Sequence, residues 1–316
     1  MKSVKCSICD REAKFGFVSV RDDSGLCDSG YTFYHCEDCN YYFIHPIPDE
    51  KQISQYYNDH PILTNQVDLE DDVISYLRRE KTDPPPLISE VKLKLKDAIK
   101  NNFGKGGMVD CSVLDIGCNT GVLLHFLREN LNVDVTGVEI NEKAIQVGKK
   151  HLNLTTVFPD IYELRDKRKK FDVITLIDVI EHLPDPLGFL DDAKSLLSDN
   201  GFIFLRFPCT DGLLFNRNRP SSWKWVYAPY HLSLLSRQSI RNIAEKCGMS
   251  PQIVNDDLTE LNPEIIFIKL TSEYKFLKKP VLKKLTSLFS KFAYLCNLYK
   301  SQMRSTETIF VILTKN

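Results

Sequence analysis

Residues 178 to 182 read Asp-Val-Ile-Glu-His, and a second histidine follows in Pro229-Tyr230-His231-Leu232-Ser233. Two carboxylates three residues apart, beside an imidazole, can support two chemistries. Neutral imidazole accepts protons near pH 7, so His182 is a candidate general base, with Glu181 orienting it and His231 on the opposite wall. Alternatively Asp178, Glu181, His182 and His231 hold a divalent cation such as Mg²⁺ or Mn²⁺, which would lower the pKa of a bound hydroxyl. A structural reading also stands, in which Glu181 and His182 only cap a turn. A second cluster is Cys6-Ser7-Ile8-Cys9 and Cys36-Glu37-Asp38-Cys39, two pairs separated by 26 residues. Such spacing suits four thiolates around one Zn²⁺, a closed and therefore structural site.

The elements that must position these groups are also legible. Val113-Leu114-Asp115-Ile116-Gly117-Cys118-Asn119-Thr120-Gly121 is a buried strand running into a glycine-bearing turn, followed by the amphipathic stretch Val122 to Asn130. Glycines there let backbone approach a ligand closely. Val133 to Val138 is a second strand ending at Glu139, where an acid can accept hydrogen bonds from a ribose diol. Asn153 to Val157 reads as a third strand, followed by Pro159-Asp160-Ile161. Phe171 to Ile177 is a fourth, leading into the Asp178 turn, and Gly201 to Phe207 a fifth. Helical patterns separate them at βαβ spacing. Pro251 to Asn255 and Thr308 to Leu313 complete an α/β, doubly wound sheet of about seven strands.

In this order the motifs resemble the class I methyltransferases that use S-adenosylmethionine (SAM), in the branch carrying an Asp/Glu-x-x-Glu-His-Leu turn. The resemblance covers about residues 110 to 316. It implies that Asp115, Gly117, Asn119 and Gly121 surround the methionine moiety and that Glu139, followed by Ile140, holds the ribose. Asp160 and Ile161 would flank the adenine, and Asp178 would close the site. Asn119 stands where the family usually has glycine, but Asn tolerates positive φ. The cation reading resembles the metal site of small-RNA 2′-O-methyltransferases. Ubiquinone-pathway O-methyltransferases have a similar turn, and both groups act on vicinal diols.

The cysteine pairs with the strand-like stretches between them look like a zinc ribbon over residues 1–48, for which zinc would be the main source of stability. Pro46-Ile47-Pro48 and a short Asp49 to Tyr57 helix follow. Some bacterial methyltransferases resemble this arrangement and act on sugars or secondary-metabolite precursors. Residues 49–107 form a helical linker or cap, with few periodic patterns over 58–90. Three prolines end at Pro86, and an amphipathic helix follows from Leu87 to Phe103. After the fifth strand come both tryptophans, Trp223 and Trp225, whose rings suit stacking on a flat substrate. Leu235 to Lys246 is a helix capped by Ser236 and ended by Gly248. A basic amphipathic segment at 274–304 is suited to an anionic membrane surface, a dimer contact or a substrate cap.

Net charge is −1, from 41 basic and 42 acidic residues, so no global field favours nucleic acid. There is no signal-like start or spanning apolar run, and scattered cysteines suit a reducing compartment. The expected location is therefore cytoplasmic, peripheral at the inner membrane face if 274–304 binds lipid. The primary expectation is O-methylation of a sugar or glycan-precursor hydroxyl. A small-molecule quinone, phenol or other secondary-metabolite acceptor, methylated at O, C or N, is the alternative. A non-catalytic SAM-binding scaffold is a third.

Overall fold

The computed structural model describes residues 4–20, 30–49, 51–53, 69–79, 86–103, 111–212, 215–254 and 307–316. The basic segment 274–304, the helix expected beyond Ile53, the triple-proline turn up to Pro85 and Cys27 lie outside the described residues.

The larger sheet has seven strands in the order β11-β12-β9-β8-β5-β6-β7. These are β5 (Ser112–Ile116), β6 (Asp134–Val138), β7 (Val157–Phe158), β8 (Phe171–Ile177), β9 (Leu197–Pro208), β11 (Met249–Val254) and β12 (Thr308–Lys315). From β7 through β9 neighbours run parallel, while β12 pairs antiparallel with both β9 and β11. The chain leaves β5 for β6 on one side and returns to β8 on the other. That reversal falls at the carboxyl ends of β5 and β8, the place where such sheets bind ligands.

Helices cover both faces. On one lie α1 (Leu69–Arg79), α2 (Pro86–Phe103) and α3 (Val122–Leu131), whose Val73, Leu95, Ile99 and Phe126 pack with Val113, Phe204 and Phe310. On the other, Leu164, Leu190 and Ile243 from α5 (Tyr162–Asp166), α6 (Pro186–Ser195) and α7 (Arg237–Lys246) pack with Leu114, Leu176 and Leu205. α4 (Glu142–Leu152) links β6 to β7. The α1 helix was not expected. Its acidic first turn and basic last turn complement the helix dipole, but only Val73 and Tyr76 bury, too few for a clear period. The strand expected at Asn153 begins instead at Val157, because Asn153 takes φ 52 and ends α4. Among the described residues no helix is long and apolar enough to cross a membrane.

The smaller sheet is β1 (Val4–Lys5), β2 (Glu12–Val18), β3 (Thr32–Cys36), β4 (Tyr41–Ile44) and, from far along the chain, β10 (Ser233–Leu234). The ribbon is thus not closed on itself, since Ser233 pairs with Phe43 and Leu234 with Tyr42. Strand alternation explains how β4 serves two cores. Tyr41 and Phe43 enter the main core with Cys6, Cys36 and Cys39, while Tyr42 and Ile44 join Phe17, Phe33, Phe215 and Trp223. The ribbon does not lack a core, because its cysteines and β4 share the apolar cluster that underlies the large sheet.

Candidate functional site

Three residues in the turn after β5 have left-handed backbone: Gly117 at φ 72, Asn119 at φ 51 and Gly121 at φ 79. Asn119 therefore does adopt the conformation for which glycine is the easier residue. A Cβ on Gly117 would lie 2.6 Å from Val179, and one on Gly121 would lie 2.0 Å from Leu154. Glu139 spans the turn, since Oε2 accepts from Asn119 N at 2.8 Å and Oε1 from Asn141 N at 2.8 Å. Asp115 is buried, accepts a 2.6 Å hydrogen bond from Thr175 Oγ1, and is pushed up to about 7 chiefly by burial.

Asp160 Oδ1 accepts from the N–H groups of Tyr162 and Glu163 and so starts α5. Ile161 is only 3% exposed and packs into the main core, whereas Ile140 is 74% exposed. Of the apolar residues expected beside a cofactor, Ile140 is thus on the surface and Ile161 is not.

At the end of β8, Asp178 takes φ 55 and a single 3₁₀ turn carries Ile180–His182. That turn, with Pro229 to Ser233, brings Glu181, His182 and His231 together. One donor atom from each lies within 4.8 Å of the others, and the two imidazole rings are 4.7 Å apart. His182 Nδ1 bonds the Tyr230 carbonyl at 2.9 Å, and His231 Nδ1 bonds the Trp225 carbonyl at 2.7 Å. A carbonyl only accepts, so both rings carry their proton on Nδ1 and their lone pair on Nε2.

Glu181 is 1% exposed, and among the described residues neither carboxylate oxygen has a hydrogen-bond partner. Burial, then the nearby Asp178 charge, pushes its carboxyl well above the usual range. Burial lowers His182 to about 4, and burial with the neighbouring His182 lowers His231 well below its ordinary value.

Three expectations change here. The Tyr230 carbonyl orients His182, and Glu181 does not. His231 sits beside His182 rather than across from it. The Asp178 carboxylate lies on the buried Arg206 guanidinium, outside the three-donor group. Arg206 had a visible signal, a cation in the otherwise apolar run Phe202 to Phe207. Glu307, which accepts from both indoles, had none.

The four ribbon cysteines also converge, with their sulfurs within 4.8 Å of one another and Cys9 to Cys36 at 3.5 Å. Tetrahedral Zn–S bonds of about 2.3 Å require sulfurs about 3.8 Å apart, so the donor set fits Zn²⁺. In each knuckle the residue after the second cysteine, Asp10 or Asn40, is left-handed. Burial pushes Cys39 up to about 12 and Cys6 further. Trp223, expected to stack on substrate, is 2% exposed and packs edge-on to Phe215 in the ribbon-side core.

The sequence model of the Methyltransferase domain family matches residues 76–251, more than half of the 316 residues. The ubiquinone biosynthesis O-methyltransferase of Coxiella burnetii (strain RSA 493 / Nine Mile phase I) is 33% identical over 129 residues, 39% of this chain and 52% of that protein. Its namesake from Nitrosomonas europaea is 29% identical over 140 residues, 42% of this chain and 56% of that protein. The chain spans about half the length of the curated relatives it matches. Among solved structures, the plantazolicin methyltransferase BpumL, in complex with a pentazolic desmethylPZN analog and SAH, aligns with a TM-score of 0.51 at 19% identity. The alignment covers 84% of this chain and 95% of that one, and bears on the fold alone. These relatives lend no support to a sugar acceptor. The chain belongs to the methyltransferase-domain family.

Proposed function

We propose that the protein transfers the SAM methyl group to a hydroxyl of an aromatic acceptor, a phenol or quinol with a neighbouring oxygen, at Glu181, His182 and His231. The observation that carries this is Glu181, a buried carboxyl whose two oxygens find no hydrogen-bond partner among the described residues, with a donor atom of each of two imidazoles within 4.8 Å. Leaving such a group unsatisfied costs about 1–3 kcal/mol, and a turn-capping role would need hydrogen bonds that its carboxylate does not make to the described residues.

The three donors fit a divalent cation. Bonds of about 2.1 Å place neighbouring ligands about 3 Å apart and opposite ones about 4.2 Å, which the observed cluster reaches with a small contraction. A bound Mg²⁺ or Mn²⁺ would supply a grip on two adjacent oxygens and a lower pKa for the one attacked. The chain's own groups prepare the site. The Tyr230 and Trp225 carbonyls fix both imidazole tautomers, and Arg206 holds Asp178 away from the donors. Tyr227 and Trp225 lie 5.0 and 6.4 Å from the His231 ring, an aromatic flank suited to a flat acceptor. Relatives named for ubiquinone biosynthesis support the same acceptor class over a sugar.

In this reading Asp115, Gly117, Asn119, Gly121 and Glu139 cradle SAM, with Ile140 and Asp160 at the lip, and Cys6, Cys9, Cys36 and Cys39 hold one structural Zn²⁺. The test is turnover of 3,4-dihydroxybenzoate, a soluble catechol, with SAM before and after EDTA. Loss of activity with EDTA and its return with Mg²⁺ or Mn²⁺ supports the cation. Activity indifferent to EDTA but lost in His182→Ala would return the reaction to His182 as general base.

A further inference from the structure

Glu307 precedes β12 and is 7% exposed. A carboxylate at that depth needs compensation, and three donors converge on it. Trp223 Nε1 donates to Oε1 at 3.4 Å, Trp225 Nε1 donates to Oε2 at 3.1 Å, and Lys224 Nζ lies 2.8 Å from Oε2. All three belong to consecutive residues of the excursion between β9 and α7. Glu307 is itself fixed to the sheet, since its carbonyl accepts from Cys209 N at 2.7 Å and the next residue, Thr308, pairs with Pro208. One side chain therefore ties the middle of a long excursion to the rigid β9–β12 ladder. The tie bears on the methyl-transfer site through Trp225, whose carbonyl accepts the His231 Nδ1 proton at 2.7 Å. His231 N in turn donates to the Tyr227 carbonyl at 2.8 Å.

We propose that Glu307 is a positioning residue for methyl transfer: by gathering the Trp223 and Trp225 indoles and the Lys224 ammonium it fixes the Trp225 carbonyl that sets the tautomer and direction of His231. The proposal rests on the reading of His231 as part of the site. Groups that orient a ligating imidazole from behind commonly cost about 10–100-fold when removed.

The test uses the full chain with Glu307→Ala, Glu307→Gln and Trp225→Phe, the last keeping the ring but losing its N–H donor. Long-range ¹H–¹⁵N correlation spectra report the His231 tautomer without any acceptor, its resonances assigned by their loss in His231→Ala. The expected result is one Nδ1–H tautomer in the wild type and a mixture in Glu307→Ala and Trp225→Phe, with Glu307→Gln, whose single oxygen can accept from only one of the two indoles, falling between. SAM affinity by calorimetry should stay within about twofold, while 3,4-dihydroxybenzoate turnover falls about 10–100-fold in Glu307→Ala and by less in Glu307→Gln. An unchanged tautomer in both Glu307→Ala and Trp225→Phe overturns the proposal. If Glu307→Ala does not fold, Trp225→Phe decides alone by the same spectrum. Full activity in His231→Ala would instead remove the reading of the site, whatever the tautomer does.

Discussion

The backbone N–H of Leu232 donates to the carbonyl of Glu181 at 2.9 Å, and the carbonyl of Leu232 accepts from Ile44 N at 2.9 Å. One residue therefore stands between the last ribbon strand and the turn that carries Glu181 and His182. Two positions before it, Tyr230 supplies the carbonyl that His182 bonds, and one position before it is His231. The ribbon thus borders the Glu181, His182 and His231 cluster, and what disorders β4 should disturb the histidines before it disturbs the glycine turn after β5.

The ribbon metal is expected at one Zn²⁺ per chain. Cys9→Ser, or release of zinc by a mercurial, should lower the melting temperature and cut turnover of a catechol by roughly 10–100-fold, while SAM affinity by calorimetry changes little. Metal analysis finding no zinc in purified protein would reject the site. Equal losses of SAM affinity and turnover would reject the coupling through Leu232.

Asp115 should make stability depend on pH. Its folded pKa of about 7 exceeds the unfolded value of about 3.9, so the folded state binds more protons between them. Stability is full below about pH 4 and falls as pH rises towards 7. Asp115→Asn keeps an oxygen for Thr175 and has no proton to lose. Its melting temperature, relative to wild type, should rise between pH 5 and pH 8 in SAM-free protein. Parallel curves across that range would mean that Asp115 ionises freely in the fold.

Much of this was legible in the sequence, and the gaps have physical causes. The glycine turn, the β8 acid turn and the Cys-x-x-Cys pairs show because each packs its constraints into a few neighbouring residues. Ser236 as the cap of α7 is equally local, bonding Ser239 three residues on. Missed features join distant residues. Nothing near Ser233 announces that it will pair with Phe43, and nothing near Glu307 announces two indoles more than 80 residues earlier. The Glu181 and His182 turn was placed correctly, but its partners were misassigned because backbone carbonyls leave no mark in side-chain patterns.

Glu139 tests the cofactor crevice. Its carboxylate already accepts two backbone N–H groups, from Asn119 and Asn141, so it holds the turn that the proposed reading gives to SAM. Glu139→Ala should weaken SAM by at least about tenfold, the scale of two lost charged hydrogen bonds. Glu139→Gln can satisfy only one N–H through its single oxygen and should fall between. Calorimetry with SAM giving unchanged affinity in Glu139→Ala would remove this residue from the site.

Glu181 allows a test of the cation that needs no acceptor. In metal-free protein burial, and then the Asp178 charge, push its carboxyl well above the usual range, so raising pH towards its folded pKa costs stability. Glu181→Gln keeps the shape without that cost, and metal-free variant at pH 8 should melt at or above wild type. Adding Mn²⁺ should reverse the order. A ligand that binds only the folded state stabilises it by about 2.7 kcal/mol at a hundred times its Kd. Wild type should therefore rise steadily in melting temperature with Mn²⁺ while Glu181→Gln, lacking the anionic donor, rises much less. His182→Ala should behave like Glu181→Gln towards Mn²⁺ and still bind SAM. If Mn²⁺ shifts neither wild type nor variant while catechol turnover still needs His182, the imidazole acts on the proton directly and the cation is absent from the reaction. If both variants turn over at the wild-type rate, the cluster is structural and the acceptor binds elsewhere along the β8–β9 edge.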